Sequence, residues 1–153
     1  MAGFKGQAAY SVDAKGRVAI PAKMRNALNP EAKSTFTITR GFEKCVFLYP
    51  MDYWEGMERE MQGLNQYQRE ARNFVRTILM WADEVALDAQ GRIPISRALL
   101  DYAGISPGGS ALIIGALDHI EIWDPDVFDQ HLNEHVEDYE TLAEKVMGGS
   151  DDG

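Results

Sequence analysis

The stretch Asp13-Ala14-Lys15-Gly16-Arg17-Val18-Ala19-Ile20-Pro21 recurs 75 residues later as Asp88-Ala89-Gln90-Gly91-Arg92-Ile93-Pro94-Ile95-Ser96. In both copies Asp-x-x-Gly-Arg follows a β-prone run, Tyr10-Ser11-Val12 or Val85-Ala86-Leu87, and precedes another. This is a hairpin signal. The carboxylate of Asp13 or Asp88 accepts hydrogen bonds from the backbone N–H groups that follow, and Gly16 or Gly91 supplies a positive φ. Arg17 or Arg92 then opens the second strand within reach of its own Asp.

The likeness extends outward from the turns. Short helical stretches follow at Ala22–Leu28 and Arg97–Tyr102. Pro21 suits the first turn of one, Ser96 is an N-cap for the other, and Gly104 is a stop. Each copy continues with a strand pair, Thr35–Thr39 and Cys45–Tyr49 around Arg40-Gly41, then Ala111–Ile114 and Ile120–Trp123 around Gly115–His119. Each closes on a helix start, at Pro50 and at Asp124-Pro125, and the two prolines keep the 75-residue offset. About four short strands are marginal as an independent sheet in water. Two copies can bury their apolar faces against each other about a pseudo-twofold axis, and closure would remove exposed strand edges. The expectation is an α+β fold in which both halves build one β-barrel, with packed helices.

Between the halves lies a helical connector, residues 55–82. Asp52-x-x-Glu55 reads as a capping box ahead of Trp54, Met57 and Met61 at helical spacing. After Gly63, Asn65-x-x-Gln68 opens a second helix whose expected buried stripe is Tyr67, Ala71, Phe74, Val75, Ile78 and Leu79, with Arg69, Arg72 and Arg76 on the other face. Residues 127–153 read as a C-terminal helix, carrying Val127, Phe128, Leu132 and Val136 on one side, and a mobile tail over Gly148–Gly153.

Composition bounds the function. The chain has 153 residues, 45% of them hydrophobic and 25% charged, which fits one globular domain or two small ones sharing a core. The lone Cys45 rules out a disulfide framework and a cysteine-rich zinc module. No apolar run approaches the roughly 18–20 residues of a membrane span, and Met1–Gln7 lacks a secretory signal, so a cytoplasmic protein without a membrane partner is expected. The net charge of −9 conceals a gradient. Residues 1–50 carry eight basic side chains against three acidic ones. Residues 101–153 carry Lys145 alone against thirteen carboxylates. Charges are felt over about 8–10 Å in physiological salt, so a polyanion can meet the first third of the chain and be repelled by the last. The two ends could equally attract each other, within or between subunits.

An enzyme finds little support. His131 and His135 stand four apart with Glu134 between them, but this is not the zinc-protease order and no third ligand is evident. Asp124, Asp126 and Asp129 are accounted for by helix capping, and Cys45 lies in an apolar strand. No Gly-rich phosphate loop or Gly-x-Ser-x-Gly elbow occurs. The expectation is no catalysis, no cofactor, no metal and no small-molecule substrate.

Phe4-Lys5-Gly6, Val12-Asp13-Ala14-Lys15-Gly16-Arg17 and Ile20-Pro21-Ala22-Lys23-Met24-Arg25 resemble the amino-terminal half of MraZ proteins. Leu87-Asp88-Ala89-Gln90-Gly91-Arg92, Leu100-Asp101-Tyr102-Ala103-Gly104-Ile105 and Glu121-Ile122-Trp123 resemble their carboxy-terminal half. The resemblance covers nearly the whole chain except the tail. It departs at Ile93-Pro94-Ile95-Ser96, where the proline falls before the second isoleucine and not after it. The resemblance implies two tandem SpoVT-AbrB-type modules of swapped-hairpin-like fold, at 7–54 and 83–126. It implies a bacterial transcription regulator that binds double-stranded DNA at short promoter repeats, typically of the division and cell-wall gene cluster. It also implies ring-shaped homo-oligomers associated with the nucleoid.

Phosphate contacts come from Lys, Arg and backbone N–H groups, and base readout from side chains that reach base edges. The first copy has Lys15 at its hairpin tip, Arg17 just beyond, Lys23 and Arg25 on the following helix and Lys5 on the leading segment. The second tip has Gln90 in place of Lys15. DNA contact is therefore expected from Lys5, Lys15, Arg17, Lys23 and Arg25, the alternative for Arg17 being a pair with Asp13 that merely pins the turn. Asp13, Gly16, Asp88, Gly91 and Arg92 are expected to shape the turns. Arg69, Arg72 and Arg76 either oppose the acidic last helix of a neighbouring subunit or form a solvated face. A protein-interaction or antitoxin-like module of the same fold is the alternative to gene control.

Overall fold

A computed structural model describes residues 3–148. The first half runs β1 (Gln7–Ser11), β2 (Arg17–Ala19), α1 (Ala22–Asn26), a 3-10 turn at Pro30–Ala32, β3 (Thr35–Arg40) and β4 (Val46–Pro50). Helices α2 (Met51–Gln62) and α3 (Arg69–Met80) lead to the second half, β5 (Asp83–Ala86), β6 (Arg92–Pro94), α4 (Arg97–Ala103), β7 (Ser110–Gly115) and β8 (Ile120–Trp123). Helices α5 (Pro125–His135) and α6 (Tyr139–Ala143) follow, with a π-helical turn at Glu144–Gly148. The class is α+β. The tail expected over Gly148–Gly153 lies, beyond Gly148, outside the described residues.

The halves interleave. One six-stranded antiparallel sheet has the order β1-β7-β8-β4-β3-β5, and β2 pairs with β6 in a separate ribbon. The first strand of each half thus pairs with the third strand of the other. Ala8 faces Ile113 in one ladder and Asp83 faces Ile38 in the other, the same register moved by 75 residues. In the ribbon Val18 faces Ile93, its own counterpart, so the pseudo-twofold axis passes through that pair. The β3–β4 loop, residues 41–45, is one residue longer than the β7–β8 loop, residues 116–119. Beyond it the spatial offset is therefore 74: Pro50 precedes α2 where Asp124 caps α5, so Pro50 and Pro125 are not equivalent in space.

The ladders do not close into the expected β-barrel. β1 and β5 are the ends of an open sheet, and β1 meets β2 through the single bridge Val12–Val18. The cause is the length of β2 and β6, three residues each, cut short by the Asp turns before them and by Pro21 and α4 after. Those residues pair with one another across the axis.

Alternation along each strand decides what is buried. One face of the sheet packs Phe36, Ile38, Leu48, Ile113, Ile120 and Ile122 against Val18, Ile20, Ile93, Ile95, Met24, Leu99 and Leu100 from the ribbon, α1 and α4. The other packs Phe47, Tyr49 and Trp123 beneath Trp54, Met61 and Ile78 of α2 and α3. The central strand β4 is covered on both faces and buried throughout.

The helices differ from expectation in two ways. α2 begins at Met51 with no side-chain cap, and Asp52 instead accepts a hydrogen bond from Asn29 Nδ2 at 3.1 Å. On α3, Ile78 is buried, while Tyr67 ahead of the helix is 96% exposed and Phe74 and Leu79 are exposed. The helix meets the sheet near its C-terminal end, where Thr39 Oγ1 donates to the Ile78 carbonyl. In its first turns only Ala71 and Val75 are half-buried, and the rest of that stretch is exposed among the described residues. Ser96 does cap α4, accepting from the Leu99 N–H, and Gly104 ends it with φ 70°.

Candidate nucleic-acid interface

The Asp13–Arg17 turn is closed by one carboxylate. Asp13 Oδ1 accepts from the N–H groups of Lys15 (3.0 Å) and Arg17 (2.8 Å), and Oδ2 accepts from Arg17 Nε (2.7 Å). Asp88 does the same with the N–H groups of Gln90 and Arg92, both at 2.9 Å, and with Arg92 Nε at 3.0 Å. The Arg17 N–H is the chief cause that holds the Asp13 carboxyl below its ordinary pKa, and the Arg92 N–H plays that part for Asp88. Both carboxylates stay ionised through the neutral range.

Strand alternation fixes where the arginines point. Val18 and Ile93 are wholly buried, so their neighbours Arg17, Ala19, Arg92 and Pro94 lie on the outward face of the ribbon. The two arginines sit at opposite ends of a three-residue ladder, about 7 Å apart along the strand. Arg92 Nη1 also comes within 3.5 Å of Asp13 Oδ2. Each arginine is held through Nε, and the Nη atoms of Arg17 make no hydrogen bond among the described residues. Pinning the turn and presenting a cationic fork are therefore compatible in Arg17. Lys15 stands exposed at the tip.

The other cations expected at this site are distributed differently. Arg25 turns towards the second half: its Nε donates to the Ile20 carbonyl at 2.9 Å, and its guanidinium lies beneath Gly91. Lys5 and Lys23 lie beside the start of β1. Lys23 Nζ reaches Gly6 at the start of β1, and Lys5 is roughly 26 Å of extended chain from Asp13. Arg69, Arg72 and Arg76 are exposed on α3. Arg72 donates to the Gln66 carbonyl and Arg76 to Asn73 Oδ1, and among the described residues none is ion-paired with the acidic α5.

Two features escape a reading of the sequence. One is the cross-half reach of Arg92 and Arg25, whose signal is the repeat itself, since position 25 corresponds to Leu100. The other is a polar network on the outer face of the sheet. His119 Nδ1 is 2.6 Å from Asp118 Oδ1 and Nε2 is 3.4 Å from Glu121 Oε2. Tyr53 donates to Asp118 and Trp123 Nε1 to Glu121, both at 2.8 Å. Burial opposes the charged form of His119, but the bonds to Glu121 and Asp118 outweigh it and raise its pKa. Cys45 is fully buried, and burial pushes its thiol far up, away from reactivity. No helix among the described residues is long and apolar enough to cross a membrane.

The sequence model of the family described as "MraZ protein, putative antitoxin-like" matches twice, over residues 4–77 and 78–148. A protein of Christiangramia forsetii named "Transcriptional regulator MraZ" is 36% identical over 141 residues, which is 92% of this chain and 90% of that relative.

Proposed function

This chain belongs to the MraZ family, and from that premise we propose that it is a sequence-specific DNA-binding transcription regulator and not an enzyme. The observation that carries this reading is the outward face of the β2–β6 ribbon. There Arg17, paired with Asp13 through Nε, presents Nη groups that have no partner among the described residues, beside the exposed Lys15 on a short-strand ribbon. A two-stranded β-ribbon fits a major groove of about 12 Å, and an arginine fork is suited to phosphate or to guanine O6 and N7. Lys5 and Lys23 form a second cationic spot that serves flanking phosphates.

The targets in this reading are short repeats in a promoter of the division and cell-wall cluster, and the working form is a ring of copies in the cytoplasm, on the nucleoid. Several identical ribbons engaging spaced repeats turn individually weak contacts into avidity. Self-association is supported by α3, where Phe74, Leu79 and Met80 are exposed beside Arg72 and Arg76. The acidic α5 of a neighbouring copy is the complementary surface.

The test is a salt titration of wild type and Arg17→Ala against duplex DNA from upstream of the chain's own gene. Affinity should fall with log salt at a slope of about −0.9 per phosphate contacted. Arg17→Ala should flatten that slope and abolish the preference for repeats over scrambled duplex. Superimposable curves would leave Arg17 a turn residue and overturn the reading.

A further inference from the structure

The repeat makes position 25 in the first half the counterpart of position 100 in the second, and the two are occupied by Arg and Leu. Both reach across the pseudo-twofold axis to the turn of the other half. Leu100 Cδ1 lies beneath Gly16, 3.1 Å from where a Cβ would stand, and Arg25 Nε lies beneath Gly91, 2.7 Å from the equivalent point. Around both contacts the backbone is the same: the Ile20 N–H donates to the Gly91 carbonyl and the Ile95 N–H to the Gly16 carbonyl, each at 2.9 Å. The two places are alike in shape and differ in charge.

Filling space does not explain the arginine. At the equivalent place a leucine does that without taking a guanidinium out of water, a step that costs free energy. Arg25 is also not fully enclosed. Its Nε is anchored on the Ile20 carbonyl, while its Nη atoms make no hydrogen bond among the described residues and do not number among the buried unsatisfied atoms. An anchored arginine with a solvent-facing fork has lost most of its side-chain freedom before any ligand arrives.

The tips differ in the complementary sense. The first carries Lys15 and Arg17 above Leu100; the second carries Gln90 and Arg92 above Arg25. We infer that the Asp88–Arg92 turn is a second phosphate-contacting element, and that the first half supplies its missing cation through Arg25. The inference rests on the DNA-binding reading above. It moves Arg25 from the leading turn to the trailing one and gives the trailing module a direct part in holding the duplex. Each ribbon then offers two cationic ends, Lys15 with Arg17 and Arg92 with Arg25, to two phosphates.

The test uses the full chain and the same upstream duplex, in salt titrations of wild type, Arg25→Leu, Arg25→Gln and Arg25→Lys. Arg25→Leu copies the side chain that the second half already tolerates in this place, and Arg25→Gln keeps a donor for the Ile20 carbonyl without the charge. Both should bind more weakly, with a slope shallower by about 0.9 per protomer. Arg25→Lys should restore the slope, a rescue that a purely space-filling role does not give. Arg25→Gln should be non-additive with Arg92→Ala, because the two share a phosphate, and additive with Arg17→Ala. Wild-type binding with an unchanged slope in Arg25→Gln overturns the inference and leaves the DNA reading standing. So does coupling to Arg17 in place of Arg92. Absence of salt-dependent binding by wild type overturns the DNA reading itself.

Discussion

Arg92 Nη1 lies 3.5 Å from Asp13 Oδ2, so a side chain of the second half closes on the carboxylate that shapes the turn of the first. Asp13 is therefore shared by two guanidiniums, its own Arg17 at 2.7 Å and the incoming Arg92. Exposed ion pairs contribute little to stability, and the value of this one is geometric. It draws two arginine forks towards a common line on the outward face of the ribbon.

Asp13→Asn should expose that dependence on the acid side. Hydrogen bonds hold the Asp13 carboxyl below its ordinary pKa of about 3.9, so its contribution is complete above that value and is lost as pH falls through the depressed one. Wild type should lose melting temperature over this acidic window more steeply than Asp13→Asn. At neutral pH the variant should melt lower than wild type. Calorimetric scans across the window check both; parallel pH profiles would mean that the carboxylate does not hold the turn.

Gly16→Ala and Gly91→Ala should both destabilise, by unequal amounts. Each glycine has positive φ, 82° and 75°, where a Cβ costs about 1–2 kcal/mol. At Gly16 the new atom would also meet the Ile95 carbonyl oxygen at 2.9 Å, which is backbone in a paired ribbon and cannot move aside. At Gly91 the three nearest atoms all belong to the Arg25 side chain, which can yield by giving up its hydrogen bond to the Ile20 carbonyl. Urea denaturation should rank Gly16→Ala as the more damaging, and Gly91→Ala should reproduce the salt-slope defect of Arg25→Gln.

His119 should make stability fall on the alkaline side. Its pKa is raised in the folded chain, so its contribution is fully present below the ordinary value of about 6.5 and is lost as pH rises through the folded one. Asp118 and Glu121 are shifted down and remain ionised throughout that interval. The melting temperature should drop across it. His119→Gln should abolish the drop. An equal slope in the variant would remove His119 as its source.

Much of the architecture was legible because duplication doubles every local signal. A single Asp-x-x-Gly-Arg is ambiguous, but two with matching flanks locate the turns, the strand pairs and the symmetric partnership of the halves. Closure was not legible, since it depends on how many residues of β2 and β6 remain to pair outward once they have paired with each other. Tyr67, Phe74 and Leu79 carry helical spacing, but periodicity says that a face is apolar without saying whether the same chain covers it. The site was legible in part. The Asp13–Arg17 bonds and the exposure of Lys15 follow from the turn chemistry, whereas nothing in the neighbours of Arg25 along the chain announces that its guanidinium ends beneath Gly91.

The arrangement of Arg25 and Leu100 bears on ancestry. Two separate, identical repeats associating as a symmetric dimer must place the same side chain under both glycines, so any change there is made twice at once. Tethering the copies in one polypeptide lifts that requirement. The fused gene can then keep an aliphatic side chain under one turn and a charged one under the other, a division of labour forbidden to the unlinked pair.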